Sequence, residues 1–377
     1  VTPSIFISSC NTFYGKIILC FIYPLILFML DIYAGKSALV LIEKEGFQQH
    51  VFSSFLGASG GPKWFSLFGL DKHLFGHFFT QRSQPLNLIG SSAGAFRAAC
   101  FAQNDPVAAI SRLAKYYSQT SYADKVTPLE ISDSARVLLD RVLGENGAQE
   151  IIDNAIFNAH FLVAKSNGLV ASERKPLQIA GLVKSYALNR FNRKLLTKQY
   201  ERFVFQNARS TLNIKDESGF LTHKVSLTQD NIKESLLASG SIPMVMLGIK
   251  NIPGAPNGMY RDGGIIDYHF DISLNNSSGL TLYPHFNAQP KAGWFDKSLK
   301  RPVNLQNYDK TVMLVPSSKF VDSLPFGKIP DREDFTKMTT DVRIAYWQKV
   351  LQETEALAVS FAEFVEQQDL SKIKLLA

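Results

Sequence analysis

Leu86-Asn87-Leu88-Ile89-Gly90-Ser91-Ser92-Ala93-Gly94 is an apolar run that stops at a Gly-x-Ser-x-Gly with Ser92 at its centre. Small residues on both sides suit a strand that turns sharply and leaves a serine exposed at the top of a sheet. The residues that follow, Ala95-Phe96-Arg97-Ala98-Ala99-Cys100-Phe101-Ala102, are good helix formers. Strand, tight turn and helix are the setting of a nucleophilic serine, which makes a serine hydrolase the first hypothesis. The competing reading is an ordinary glycine loop, because so short a pattern recurs by chance.

Working outward from this elbow, strands alternate with helices. Val51 to Leu56 reads as a strand feeding a glycine-rich loop, Gly57-Ala58-Ser59-Gly60-Gly61, with Pro62 opening a helix that reaches about Phe79. Before it, Ser37 is expected to cap a helix that Gly46 stops. Further helices are expected at Pro106 to Ser118, Leu129 to Val142 and Leu182 to Leu196, and from Asp230 to Ala238 behind a Thr228 cap. Strands fit His160 to Lys165, Arg202 to Phe205, Gly279 to Tyr283 and Thr311 to Val315, and Asp341 to Gln367 carries one long amphipathic pattern. Such alternation predicts a layered α/β fold around a mainly parallel sheet.

The chain has 377 residues and a near-average apolar share, enough for a large core. Cys10, Cys20 and Cys100 are too few and too scattered for a disulfide framework or a zinc cluster, which favours a reducing, cytoplasmic compartment. The net charge of +7 favours anionic partners. Between Tyr186 and Phe205 the basic residues Arg190, Arg193, Lys194, Lys198 and Arg202 interleave with Tyr186, Phe191, Tyr200 and Phe203. This stretch reads either as a phospholipid- or nucleic-acid-binding surface or as a solvated helix face.

From Ile17 to Leu30 the chain is uninterruptedly apolar. Fourteen residues fall short of the ~20 needed to span a bilayer. The length matches a signal-peptide core, yet the basic flank is the single Lys16, Pro24 interrupts the run and no small-x-small cleavage site follows. The chain begins with Val1 and its first methionine is Met29, so a mis-assigned start and a membrane anchor are the other two readings. The expected organisation is a hydrophobic segment at 1–34, a catalytic domain at 35–330 and a helical extension at 331–377.

A serine hydroxyl needs a base to take its proton and preorganised donors for the tetrahedral oxyanion. Gly57 to Lys63 is the donor candidate, its small residues letting backbone N–H groups converge. A phosphate loop is the rival, but Pro62 removes an N–H and Trp64 stands where a Mg²⁺-binding hydroxyl belongs; a structural glycine turn is the third reading. The seven histidines, His73 and His77 included, sit in no recognisable catalytic or metal-binding pattern. In Tyr260-Arg261-Asp262-Gly263-Gly264, the aspartate lies in a tight turn where its carboxylate can approach another loop. Asp267 and Asp271 read as turn and surface carboxylates.

Taken together, Gly57 to Lys63, Gly90 to Gly94 and Asp262-Gly263-Gly264 resemble the glycine-rich loop, elbow and Asp-Gly-Gly/Ala motif of the patatin-like phospholipase family, bacterial type. Ala238-Ser239-Gly240-Ser241-Ile242-Pro243 looks like its Ala-Ser-x-x-x-Pro turn, and the resemblance covers about Val51 to Asp271. It implies a three-layer α/β/α fold and hydrolysis of lipid or phospholipid acyl esters by a Ser92–Asp262 dyad through an acyl-serine. The Gly57, Ala58, Ser59, Gly60 and Gly61 backbone would form the oxyanion hole with Lys63 in support of anion binding, Gly90 and Gly94 would shape the elbow, and no metal, cofactor or nucleic acid is expected. The departure is Ala58-Ser59-Gly60-Gly61-Pro62-Lys63-Trp64 in place of the family's Asp-Gly-Gly-Gly-x-Arg/Lys-Gly. Two alternatives stay open: a triad with His269 or His285, which the order Ser, Asp, His permits, and a catalytically silent lipid- or partner-binding protein.

Overall fold

The computed structural model describes residues 29–123, 125–274 and 279–376. Ten strands carry the argument: β1 Leu30–Ala34, β2 Phe52–Gly57, β3 Leu86–Ser91, β4 Phe157–Ser166, β5 Tyr200–Gln206, β6 Thr222–Ser226, β7 Met259–Asp262, β8 Leu280–Pro284, β9 Thr311–Pro316 and β10 Ile373–Leu375. They lie in one eleven-stranded sheet in the order β10-β1-β9-β8-β2-β3-β4-β5-β6, with β7 paired to β4. The run from β9 through β8, β2, β3 and β4 is parallel; β1 against β9, and both β5 and β7 against β4, are antiparallel. The expected α/β architecture with a mainly parallel sheet is what the chain adopts.

The layers follow from the strand repeat, since successive side chains point to opposite faces. Leu86 and Leu88 of β3, Phe55 of β2 and Val312 and Leu314 of β9 enter one core, while Ile89, Leu56, Met313 and Val315 enter another across the sheet. The first core also takes Phe101, Ile110, Leu113 and Leu139 from the helices Ala93–Phe101, Pro106–Ser118 and Pro128–Leu143. The last of these starts with a Thr127–Glu130 capping box, so its amino end satisfies its own free N–H groups.

Several expected boundaries move. Leu30–Ala34 is a strand inside the sheet, because its antiparallel ladder with β9 and its parallel ladder with β10 satisfy both edges. The 1–34 segment thus ends in a strand of the same sheet, and the carboxyl end returns to that sheet edge. Ser37 is not the cap: the helix Lys36–Glu45 starts from Gly35, and the Ser37 hydroxyl binds Asp309 at 2.5 Å. Thr228 gives way to Asn231 as first boundary residue of Ile232–Gly240. The 62–79 helix is a 3₁₀ turn, a short α-helix and a π-turn in series, and the 341–367 pattern is two helices, Thr340–Glu353 and Glu355–Gln367, meeting at Thr354.

The basic and aromatic stretch does not form one face. Its helix runs over Lys175–Phe191 and ends where Asn192 turns extended and caps the next turn through Lys194 N–H. Arg193 is drawn inside by Asp296 and the Ile266 carbonyl, and Arg202 by Asp267 and Asp216; Tyr200 and Phe203 are buried with them. Arg190, Lys194, Lys198, Tyr186 and Phe191 stay exposed. Among the described residues no helix is long and apolar enough to cross a membrane; the run from Ile17 lies, but for Met29 and Leu30, outside them.

Candidate active site

Ser92 forms the turn between β3 and the helix Ala93–Phe101 with φ 54° and ψ −124°, a conformation costly for any residue with a side chain. The glycines around it make the turn fit. A Cβ on Gly90 would lie 2.2 Å from the Gly94 carbonyl oxygen, and one on Gly94 only 1.7 Å from that of Gly57. Three backbone segments thus meet at distances only glycine allows, and Ser92 is raised at their junction.

The turn after Ile232–Gly240 holds both halves of the site. The Ser92 N–H donates to Ser239 Oγ at 2.9 Å, and that hydroxyl donates to the Leu162 carbonyl at 2.7 Å. Asp262 N–H donates to the Ser241 carbonyl at 3.0 Å. Ser92 Oγ in turn donates to Asp262 Oδ2 at 2.8 Å, and Asp262 Oδ1 accepts from Gly264 N–H at 2.7 Å. The first glycine after the aspartate has its own reason: a Cβ on Gly263 would meet the Leu162 carbonyl oxygen at 2.1 Å.

Asp262 is 6 % exposed, and burial pushes its carboxyl up from 3.8 to about 6. The bonds from Ser92 and Gly264 and the fields of Arg332 and Lys297 pull the other way without cancelling it. Neither candidate histidine touches this pair. His269 Nδ1 accepts from Lys291 N–H at 3.0 Å, and His285 Nδ1 faces the Asn287 backbone. Burial drives His269 well below its ordinary value and His285 down to about 3. No histidine lines either cavity at Ser92.

The two cavities differ in character. A chamber of about 360 Å³ opens from Ser92 among Phe96, Leu113, Leu138, Leu237 and Val245, with Trp64 in its wall. Its lining is almost wholly apolar, which suits a hydrocarbon chain. On the other side of Ser92 a small polar pocket is lined by Gly60, Asp262, Tyr268, Trp294, Lys297 and Arg332. Ser92 and Arg332 border both.

The glycine loop is corrected in part. Gly57 ends β2 in register with Gly90, and neither it nor Ala58 lines a cavity. Ser59 spends its N–H on the Tyr268 carbonyl at 2.9 Å and its hydroxyl on Ser91, so it positions the loop and has no N–H to offer an oxyanion. Gly60 and Gly61 border the cavities and, among the described residues, donate no backbone hydrogen bond; Gly61 takes φ +56°. Lys63 is held by Asp331 in an ion pair, so its charge is engaged within the protein.

Arg332 has no counterpart in the sequence reading. Its guanidinium forms no hydrogen bond or ion pair among the described residues, and its Nη2 would lie 3.0 Å from a Cβ on Gly61. The turn that carries it is braced by Asp334, fully buried, which binds Lys328, the Asp331 N–H at 2.9 Å and Trp347 Nε1 at 3.0 Å. Among the described residues no group of three His, Cys, Asp or Glu side chains is placed to hold a metal.

A serine on a strained strand-to-helix elbow, set over a parallel sheet between an apolar chamber and a polar pocket, defines the class of α/β acyl hydrolases. The family model of patatin-like phospholipases matches residues 59–269, more than half of the chain, and the chain belongs to that family. Membership makes it a lipid acyl hydrolase in general terms. No curated protein matches the chain. Lys297 and Arg332 lie beyond the matched region.

Proposed function

We propose that this protein cleaves fatty-acyl esters, phospholipids among them, through an acyl-Ser92 intermediate with Asp262 as the base. The observation that carries the reading is the 2.8 Å bond from Ser92 Oγ to a carboxylate whose proton affinity burial has raised toward neutrality. In the first step Ser92 Oγ bonds to the ester carbonyl carbon, its proton passes to Asp262, and the carbonyl electron pair moves onto oxygen. The Gly60 and Gly61 N–H groups, with the Arg332 guanidinium beside them, hold that oxyanion. Collapse breaks the bond to the leaving alcohol, which takes the proton from Asp262. Water then repeats the sequence on the acyl-serine, giving the free fatty acid and Ser92.

The chain of the acid lies in the apolar chamber and the alcohol part in the polar pocket. Neither histidine is needed: each has its Nδ1 on a backbone N–H away from Ser92, and neither lines the cavities there. The test is labelling by a fluorophosphonate, followed by turnover of a panel of acyl esters and phospholipids. Wild type is expected to label and turn over, and Ser92→Ala to do neither. A folded wild type that takes no label and cleaves nothing on the panel would favour a silent lipid-binding protein instead.

A further inference from the structure

The helix Lys175–Phe191 buries polar positions and leaves apolar ones exposed, with Leu182 and Leu188 half-buried against the core beside Tyr200. Its buried positions are Gln178, Gly181, Ser185 and Asn189, spaced three and four apart on one face. All are satisfied or tightly packed: Gln178 bonds Ser172 and Met244, Ser185 bonds Tyr200, Asn189 bonds Asp296, and a Cβ on Gly181 would meet Val170 N at 2.7 Å. The opposite stripe carries Ile179, Val183 and Tyr186, which are 43 %, 62 % and 42 % exposed, and Phe191 beyond it is 83 % exposed. Among the described residues nothing covers these exposed apolar side chains, and an apolar stripe left bare on a helix is a surface for a further partner.

The charge around the stripe says which partner. From residue 174 to residue 200 there is no Asp or Glu, and Arg174, Lys175, Lys184, Arg190, Lys194 and Lys198 are all exposed. A second copy docking on the same patch by a twofold contact would set this cationic face against itself. An anionic lipid surface matches both the apolar stripe and its basic border.

The face also adjoins the site. Gln178 Oε1 accepts from Met244 N–H at 3.0 Å, and Glu173 from Gly248 N–H at 2.9 Å, so the helix start braces the segment whose Val245 and Met246 wall the apolar chamber. Near its other end, Asn189 holds Asp296, between Trp294 and Lys297 of the polar pocket. We infer that the outward face of Lys175–Phe191 docks this protein on anionic lipid surfaces and so brings the Ser92 chamber to its substrate. The inference deepens the proposed lipid hydrolysis and rests on it for its purpose, though the binding itself is measurable without activity.

The experiment is co-sedimentation of the full chain with phosphatidylcholine vesicles and with vesicles containing a third phosphatidylglycerol, alongside turnover of a water-soluble short-chain ester. Wild type is expected to bind the anionic vesicles, to release as salt rises, and to bind phosphatidylcholine alone at least tenfold less. Val183→Asp, and separately Lys184→Glu with Arg190→Glu, are expected to lower partition roughly tenfold or more while soluble-ester turnover is unchanged. These positions are exposed, so the fold tolerates them. Wild type that ignores anionic vesicles, or Val183→Asp that binds as wild type does, overturns the inference. So does a wild-type dimer in sedimentation velocity that Val183→Asp dissociates, since the face would then belong to a second copy. Loss of soluble-ester turnover in wild type itself would instead strike the hydrolase reading and leave the docking result standing.

Discussion

Asp262→Asn should cost the protein its activity and increase its stability, and the two effects share one cause. Burial holds the Asp262 carboxyl at about 6 against an ordinary 3.8, so the folded protein binds its proton more tightly than the unfolded chain does. Below pH 4 the group is protonated in both states and costs nothing. Between about pH 4 and pH 6 the unfolded chain has given up the proton that the folded state still holds, so stability falls across that window and the full penalty stands above it. The rise from 3.8 to about 6 corresponds to about 3 kcal/mol of charge penalty carried above pH 6. Asparagine is neutral throughout, still accepts the Gly264 N–H, and can donate its amide to Ser92 Oγ. Urea denaturation of both proteins at pH 8 and pH 4 measures the difference. The variant is expected to be more stable by up to about 3 kcal/mol at pH 8, with the gap closing toward pH 4. Acylation, followed by release of a chromogenic alcohol, should fall by about 10³ in the variant, and in wild type should rise with pH to a plateau above about 6. A variant whose stability tracks wild type at both pH values would show that the carboxyl bears no burial penalty, and an active variant would remove Asp262 from the chemistry.

Arg332→Gln should lower kcat for a neutral ester by about 10², the scale of one lost oxyanion donor, with KM little changed and partial rescue by added guanidinium; a rise in KM confined to anionic esters would make Arg332 a headgroup contact instead. Leu138→Trp fills part of the apolar chamber, so kcat/KM measured over a chain-length series should drop at least tenfold for long acyl esters and stay near wild type for acetate, each excluded CH₂ being worth about 0.8 kcal/mol. His285→Gln keeps a side chain that can meet the Asn287 backbone and should leave turnover within about twofold, as His269→Gln should; a thousandfold loss in either with the fold intact would restore the triad.

The elbow was legible because its requirement is local. Gly90, Ser92 and Gly94 sit within five residues, and their steric reasons act between near neighbours, with the Gly57 and Ala58 backbone contributing from outside at Gly94. Asp262-Gly263-Gly264 was legible for the same reason, since the carboxylate's first partner is the N–H two residues on. Arg332 had no such signature. Its place depends on Asp334 and Trp347 burying themselves against the glycine-loop side of the molecule, where Trp347 meets Phe65. Long-range partners also decided the misread caps and charges: Ser37 is taken by Asp309, Arg202 by Asp216 and Asp267, and Ser59 N–H by Tyr268. Local pattern shows which residues are polar, and tertiary partners decide which way they face.

The same balance of burial and charge bears on the proposed dyad, in which one carboxylate would work without a histidine. A base near pKa 4 is too weak, and a carboxylate in a fully apolar cavity would hold its proton too well to take another from serine. On the proposed mechanism cations in the polar pocket would serve the oxyanion and the leaving group, and the two that line it, Arg332 and Lys297, lower the proton affinity that burial raises. Lys63 adds a third positive charge nearby, but Asp331 pairs with it, so the loop keeps its shape while part of the local field is neutralised. The result at Asp262 is about 6, between the two failures. Arg332 lines the same pocket as Asp262 and lowers its proton affinity, so on the proposed mechanism the segment beyond the family-matched region 59–269 would take part in the chemistry of the site.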